Sequence, residues 1–177
     1  MESRLTRRTV VGLVAVAAAT ACRLETHEPR RGAAAASVLA AAADSAAVVD
    51  ELEAYYRDLS ARDWDAFAGH FWPGADISTI WQPPGEDSAR VVITSIPDFV
   101  RQAPQGPGSR AIFEERMIDA RVVTFRDLAQ AWVRYRARFG DPGEVSEWEG
   151  MDAFTLLRHG GRWGIVELVF VGDDPGS

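Results

Sequence analysis

The sequence predicts an α+β fold in which helices precede an antiparallel sheet and cover one of its faces, and three observations carry that prediction. From Ile112 to Val171 the chain reads as four consecutive strands in which residues of like character recur at every second position. Tight turns divide this stretch at Arg126-Asp127 and at Gly160-Gly161, the latter a pair that accepts the positive φ of a two-residue hairpin loop. Upstream, apolar residues recur at helical rather than strand spacing.

The first hairpin is expected to pair Asp119 with Arg134 and Glu115 with Arg138 on one face, and Ile118 with Tyr135 and Ala120 with Val133 on the other. One face is then ionic and the other apolar. The second hairpin sets His159 opposite Arg162. That register places Met151, Ala153, Thr155 and Leu157 on the face of Val166, Leu168 and Phe170, with Phe154, Leu156, Trp163, Ile165 and Glu167 on the reverse. A connecting loop that pairs Phe139 with Glu147 brings Tyr135 beside Met151 and Val133 beside Ala153, so the apolar faces merge; a slip of one residue would undo the agreement.

Before the sheet, Val48, Leu52, Tyr55 and Leu59, widened by Val49 and Tyr56, form the apolar stripe of an amphipathic helix whose other side carries Asp50, Glu51, Glu53, Arg57 and Asp58. Asp44 or Ser45 can cap it, unless it runs back into the preceding alanines. Asp63 caps a second, short helix with Trp64, Phe67, Ala68 and Phe71 at helical spacing, ending at Pro73-Gly74. Ile77 to Trp81 reads as a strand stopped by Pro83-Pro84-Gly85, and Arg90 to Thr94 as its hairpin partner. Pro97 opens a third short helix with Ile96, Phe99 and Val100 on its apolar side; Pro104 closes it, and the Pro- and Gly-rich stretch to Arg110 leads into the sheet.

The chain has 177 residues, 47% hydrophobic and 25% charged, enough for one domain with a real core and too short to favour a second. Its formal charge is −7; after removal of residues 1–21, 16 basic and 25 acidic residues remain, a charge of −9. Such a surface is a poor partner for nucleic acid. Cys22 is the single cysteine, so no intrachain disulfide can form.

Residues 1–21 have the layout of a signal peptide: Arg4, Arg7 and Arg8, an apolar run from Val10 to Ala19, then small residues. The ending Ala19-Thr20-Ala21-Cys22 resembles a bacterial lipobox, with Ala19 in place of the usual leucine, which implies acylation of Cys22. Thr6-Arg7-Arg8-Thr9-Val10-Val11 resembles a twin-arginine signal. An ordinary secretory leader with a chance Cys and Arg pair is the alternative. Residues 22–44 read as an alanine-rich tether or as an N-terminal extension of the first helix, alanine having the highest helix propensity. The folded domain is expected over 45–172, with a short tail at 173–177. The protein is therefore expected in the cell envelope, anchored by lipid at Cys22.

Ala61-Arg62-Asp63-Trp64-Asp65-Ala66-Phe67 with Phe71, and Gly160-Gly161-Arg162-Trp163-Gly164-Ile165-Val166, resemble the helix corner and the final hairpin of the nuclear transport factor 2-like superfamily, in particular its SnoaL-like members. The resemblance runs from Ser45 to Val171. It implies a cystatin-like α+β cone, a curved antiparallel sheet wrapped around N-terminal helices and an apolar pocket, often dimerising through the outer face of the sheet. On that picture Ile118, Val122, Val133, Tyr135, Met151, Leu157, Leu168 and Phe170 face Leu52, Tyr55, Leu59, Phe67, Phe71 and Phe99, while Trp132, Phe154, Ile165, Val169, Arg134, Asp152 and Glu167 lie outside.

An enzyme of this kind needs a titratable group inside the cone. The expected inner positions carry none; Glu114, Arg116, Glu149 and His159 share their parity but fall near strand ends. Compared with ketosteroid isomerases, Tyr55 stands at the oxyanion-binding tyrosine, but Thr79 replaces the catalytic aspartate and cannot act as a base. This favours a non-catalytic module that holds a small apolar ligand or serves as an interaction module, with Tyr55, Thr79, Trp81, Phe99, Tyr135 and Met151 as pocket residues and Trp72, Trp81 and Trp148 as candidates for its mouth. The alternatives are an isomerase, cyclase or hydrolase using Tyr55 and Tyr135 as donors and Asp76 or Glu149 as base, and a purely structural envelope dimer. His27, His70 and His159 lack metal-ligand spacing, Gly106-Pro107-Gly108 lacks the lysine of a phosphate loop, no nucleophile elbow is present, and no cofactor is expected. Arg134, Arg136 and Arg138 read as a salt-bridged sheet face rather than an anion site.

Overall fold

The computed structural model describes residues 29–82 and 87–172. The expected signal peptide, Cys22 and the tail at 173–177 lie outside them. Helices α1 (Pro29–Ala61) and α2 (Trp64–Gly69) are followed by strands β1 (Phe71–Trp81) and β2 (Arg90–Ser95), helix α3 (Ile96–Gln102), and the strands β3 (Ile112–Phe125), β4 (Leu128–Asp141), β5 (Glu144–His159) and β6 (Arg162–Gly172). The six strands make one curved, unclosed sheet in the order β2-β1-β6-β5-β4-β3, antiparallel throughout except where β1 lies parallel to β6. The α+β class and the cystatin-like architecture expected from the sequence are both present.

The helices form where their signals stand. The Asp63 carboxylate accepts from the Ala66 amide at 3.1 Å and caps α2; Ser95 caps α3, with Pro97 in its first turn. Of the two readings open for the alanines, the described residues show the helical one: α1 continues through them from Pro29. The second helix is shorter than expected. Phe71 and Pro73-Gly74 belong to β1, where Gly74 at φ +87° sits in an irregularity of the pairing with β6 between Phe71 and Asp76.

Val48, Leu52, Tyr55 and Leu59 are buried together with Phe67, Phe71, Val133, Tyr135, Phe154, Leu156, Ile165 and Leu168 in one core cluster between the helices and the sheet. The Arg126-Asp127 and Gly160-Gly161 turns both form as predicted, with Asp119 opposite Arg134 and His159 opposite Arg162. Three register features depart from expectation. Pro142-Gly143 closes a two-residue turn, Gly143 at φ +94°, so Phe139 faces Ser146 rather than Glu147 and Tyr135 faces Gly150 rather than Met151. A bulge leaves Val166 out of the β5–β6 pairing, and another leaves Ile118 out of the β3–β4 pairing, so Met117 and not Ile118 lies opposite Tyr135.

The consequences for the faces are definite. The β5 residues Gly150, Asp152, Phe154 and Leu156 point inward with Trp163, Ile165 and Leu168, while Met151 (38% exposed) and Leu157 lie outside with Ile118. The inward placing of Val133, Tyr135 and Leu168 holds; for Leu168 it does so because the Pro142-Gly143 shift and the Val166 bulge each move the register by one and cancel beyond β5. Glu115 leaves the ionic face; its expected partner Arg138 pairs with Glu114 at 2.8 Å and Glu147 at 2.9 Å.

Gly150 is matched to this register, since the Tyr135 ring lies over it and a Cβ there would overlap the ring and its hydroxyl. Gly150→Ala is expected to destabilise the fold by about 1–3 kcal/mol through overpacking, read as a lowered urea midpoint with unchanged m-value.

Candidate active site

A hollow of about 210 Å³ opens between α1, α3 and the sheet. Tyr55, Leu59, Phe99, Pro107, Phe113, Tyr135, Leu168 and Phe170 give it aromatic and aliphatic walls, and two carboxylic acids, Glu115 and Asp152, stand among them. A neighbouring recess shares Glu115, Tyr135 and Phe170 and continues past Thr79, Trp81 and Trp148 to the edge of the cone. Tyr55 comes from the buried stripe of α1, which fixes its ring against Phe67, Phe71 and Phe154.

Both acids are where period-two geometry puts them once the register is known. The Pro142-Gly143 turn sets Asp152 opposite Val133 on the inner face, and it is 3% exposed. The Ile118 bulge turns Glu115 inward opposite Ala137. Glu115 retains accessible surface because it borders the hollow, and its backbone is fixed to α1 by a reciprocal pair: Ser60 Oγ donates to the Glu115 carbonyl at 2.7 Å and accepts its amide at 2.8 Å.

The Tyr56 hydroxyl donates to Asp152 Oδ2. Burial pushes the Asp152 carboxyl up to about 7, the Tyr56 hydrogen bond pulling only partly the other way. Burial likewise pushes Glu115 up to about 8, and the nearby charge of Asp152 adds to the rise. The pair therefore exchanges protons near neutrality. Tyr55 and Tyr56 move in the same direction, burial first and Asp152 second, so both stay protonated donors. Among the described residues, neither the Tyr55 hydroxyl nor the Glu115 carboxyl has a hydrogen-bond partner.

Of the pocket residues expected from sequence, Tyr55, Phe99 and Tyr135 line the hollow, and Thr79 and Trp81 line the recess, Thr79 donating to the Phe170 carbonyl at 2.9 Å. Met151 does not; it is on the outer face. Neither expected base is in the hollow. Asp76 borders a separate surface groove beside Pro73 and Pro97, and Glu149 is held outside by Arg136 at 2.5 Å. Trp148 is at the mouth as expected, but Trp72 lies at the far end, its indole N–H donating to the Leu157 carbonyl at 2.9 Å under the Arg162 guanidinium. Arg134 and Arg136 pair with Asp119 and Glu149, so the ionic outer face forms as expected. The expectation of a hollow free of ionisable groups is overturned by Glu115 and Asp152.

Away from the hollow, His70 is buried at the end of α2 between Glu51 and Asp58, each 2.9 Å from one ring nitrogen. Burial opposes its charge, but the two carboxylates outweigh burial and raise its pKa. Among the described residues no group of three or more His, Cys, Asp and Glu side chains is arranged to hold a metal.

No protein-family model matches the sequence, and neither does any curated protein. Solved structures do match in fold. A hexachlorocyclohexane dehydrochlorinase of LinA type 3 from Novosphingobium barchaimii is 12% identical, with a TM-score of 0.58 over 74% of this chain and 87% of that one. A candidate scytalone dehydratase from Novosphingobium aromaticivorans gives 13%, 0.57, 73% and 84%, and a nuclear transport factor 2-like protein of unknown function from Shewanella baltica gives 16%, 0.51, 74% and 94%. The chain has the nuclear transport factor 2-like fold. Neighbours of that fold include enzymes and proteins of unknown function alike.

Asp152 and Glu115 bind protons more tightly folded than unfolded, so between about pH 4 and pH 8 the folded state holds more protons and stability falls as pH rises. Chemical denaturation of the Asp152→Asn variant is expected to show a flatter dependence across that window than the parent, and Glu115→Gln likewise.

Proposed function

We propose that the hollow is a general acid–base site acting on a small, largely apolar molecule, and the placement of Asp152 and Glu115 on its wall is the observation that carries this reading. Two carboxyl groups that titrate near neutrality supply a base and an acid in one site, which is the requirement for moving a proton at pH 7. The Tyr55 hydroxyl, protonated and unpartnered among the described residues, is suited to donate to an oxygen on which charge develops. Two fold neighbours are named for the removal of water or hydrogen chloride, eliminations in which a base takes a proton from the substrate. The reading favours the enzymatic alternative over a purely binding module.

The proposed step is abstraction of a proton from carbon by whichever carboxylate is ionised, with Tyr55 or the protonated acid hydrogen-bonding to the substrate oxygen. Its simplest probe is incorporation of solvent deuterium into cyclohexanone, followed by NMR. Exchange above the buffer rate is expected, with an optimum near pH 7–8 set by the pair. Asp152→Asn should lower it about a hundredfold or more. Exchange that ignores Asp152 and Glu115 would sink the reading.

We further propose export with a lipid on Cys22 and a homodimer closed through the outer sheet face. Among the described residues no helix is long and apolar enough to cross a membrane; the attachment proposed is the lipid on Cys22. The outer face carries Trp132 (56% exposed), Met151, Val169 and Val171, an apolar centre flanked by the arginine pairs. Native mass spectrometry of protein from its own membrane is expected to give a chain beginning at an acylated Cys22 and twice the monomer mass, with Trp132→Asp giving the monomer.

A further inference from the structure

We infer that the hollow selects for a small molecule bearing a basic nitrogen and rejects anionic molecules of the same shape. The inference builds on the acid–base reading of the same hollow by naming the charge of what enters.

The first ground is the composition of the wall. The described residues lining the hollow include two carboxyl groups and no Lys, Arg or His, and the described lining of the adjoining recess adds none. An entering carboxylate would find no counter-ion, and would meet like charge wherever either acid is ionised, inside a low-dielectric enclosure where such repulsion is largest. The arginines that could have compensated it, Arg134, Arg136 and Arg138, project from alternate positions of β4 onto the opposite face and are paired there.

The second ground is independent of the acids. Tyr55 is 3% exposed and lines the hollow, and its hydroxyl has no hydrogen-bond partner among the described residues. Its oxygen can accept an N–H, and the rings of Tyr55, Tyr135, Phe99 and Phe113 offer the aromatic surface that a cation prefers to aliphatic walls. An apolar cavity of roughly 150 Å³ holds benzene. The present 210 Å³ therefore admits one six-membered ring with a short substituent.

The proton balance is simple. If the amine enters neutral, its nitrogen takes the proton of a carboxylic acid and the ion pair is made in place. If it enters as ammonium, the carboxyl releases its proton to solvent. In either case the arriving cation removes the penalty that keeps Glu115 and Asp152 protonated, so a carboxylate base becomes available when the ligand binds.

The test is calorimetric titration of the full chain with benzylamine, benzyl alcohol and benzoate at pH 7, repeated in buffers of different ionisation enthalpy. Benzylamine is expected to bind about tenfold more tightly than benzyl alcohol, benzoate about a hundredfold more weakly than benzylamine, and amine binding to release protons. Asp152→Asn and Glu115→Gln should each narrow the amine-to-alcohol ratio. Benzoate or benzyl alcohol binding as tightly as benzylamine, or no benzylamine binding, overturns the inference in the parent protein alone, whatever the variants do. The two readings fail separately. Asp152-dependent deuterium exchange with no amine preference removes only this inference, and amine preference without exchange removes only the catalytic reading.

Discussion

The Pro142-Gly143 turn decides what the inside of the cone contains. In a sheet with a side-chain period of two, the length of one hairpin loop fixes which half of a sixteen-residue strand faces the core. Proline presets φ for the first turn position and Gly143 supplies the positive φ of the second, so the loop closes with two residues. β5 is thereby committed to placing Phe154 and Leu156 in the core. Asp152 has the same parity and goes in with them. The acid is carried inward by the same register that buries Phe154 and Leu156, the two largest fully buried side chains of the strand, and it could not be moved out without exposing them.

What makes the burial tolerable is local. Tyr56 donates to Asp152 from α1, one residue beyond the Tyr55 that borders the hollow, so a single helical turn both satisfies the acid and presents a hydroxyl to the space beside it. Burial is answered by protonation rather than by a counter-ion, which is the cheaper response in an apolar enclosure. The helix is held in position from several sides: Ser60 clamps it to the Glu115 backbone, Asp44 pairs with Arg158 of β5, and His70 bridges Glu51 and Asp58. The groups that define the hollow are thus attached to elements fixed at more than one point.

Much of this is legible in the residues. Asp63, Pro97, Arg126-Asp127 and Gly160-Gly161 announce their caps and turns by local chemistry, and the stripe through Leu52, Tyr55 and Leu59 announces its buried face. The pairing of Asp119 with Arg134 comes from turn position and charge. The bulges are not legible. Nothing at Ile118 or Val166 distinguishes a residue that will drop out of a ladder from its neighbours, because a bulge is a response to sheet curvature set by the whole cone. Each one reverses the faces beyond it, and Glu115 lies beyond one. The Pro142-Gly143 pair, by contrast, is a local signal that the sequence does carry. A longer loop keeps Met151 inward at the expense of Phe154 and Leu156, and weighing those two side chains against Met151 and Leu157 selects the shorter loop and finds Asp152.

The contrast between the two faces of β4 bears on why the inner acids are there. On the outer face every arginine of the Arg134, Arg136, Arg138 ladder meets a carboxylate on β3 or β5, an arrangement that stabilises little but leaves no charge uncompensated. β4 itself could have supplied such a partner to Glu115 or Asp152 by one basic residue at an inner position, and instead supplies Ala129, Ala131, Val133 and Ala137. An apolar residue in place of either acid would pack more favourably, since burying an ionisable group without a counter-ion diminishes stability. Among the described residues, the acids that face the β4 arginines are ion-paired, while the two inner acids have no cationic partner and border a hollow that a small molecule can enter. That distribution is what a site requires and what a core, taken alone, does not.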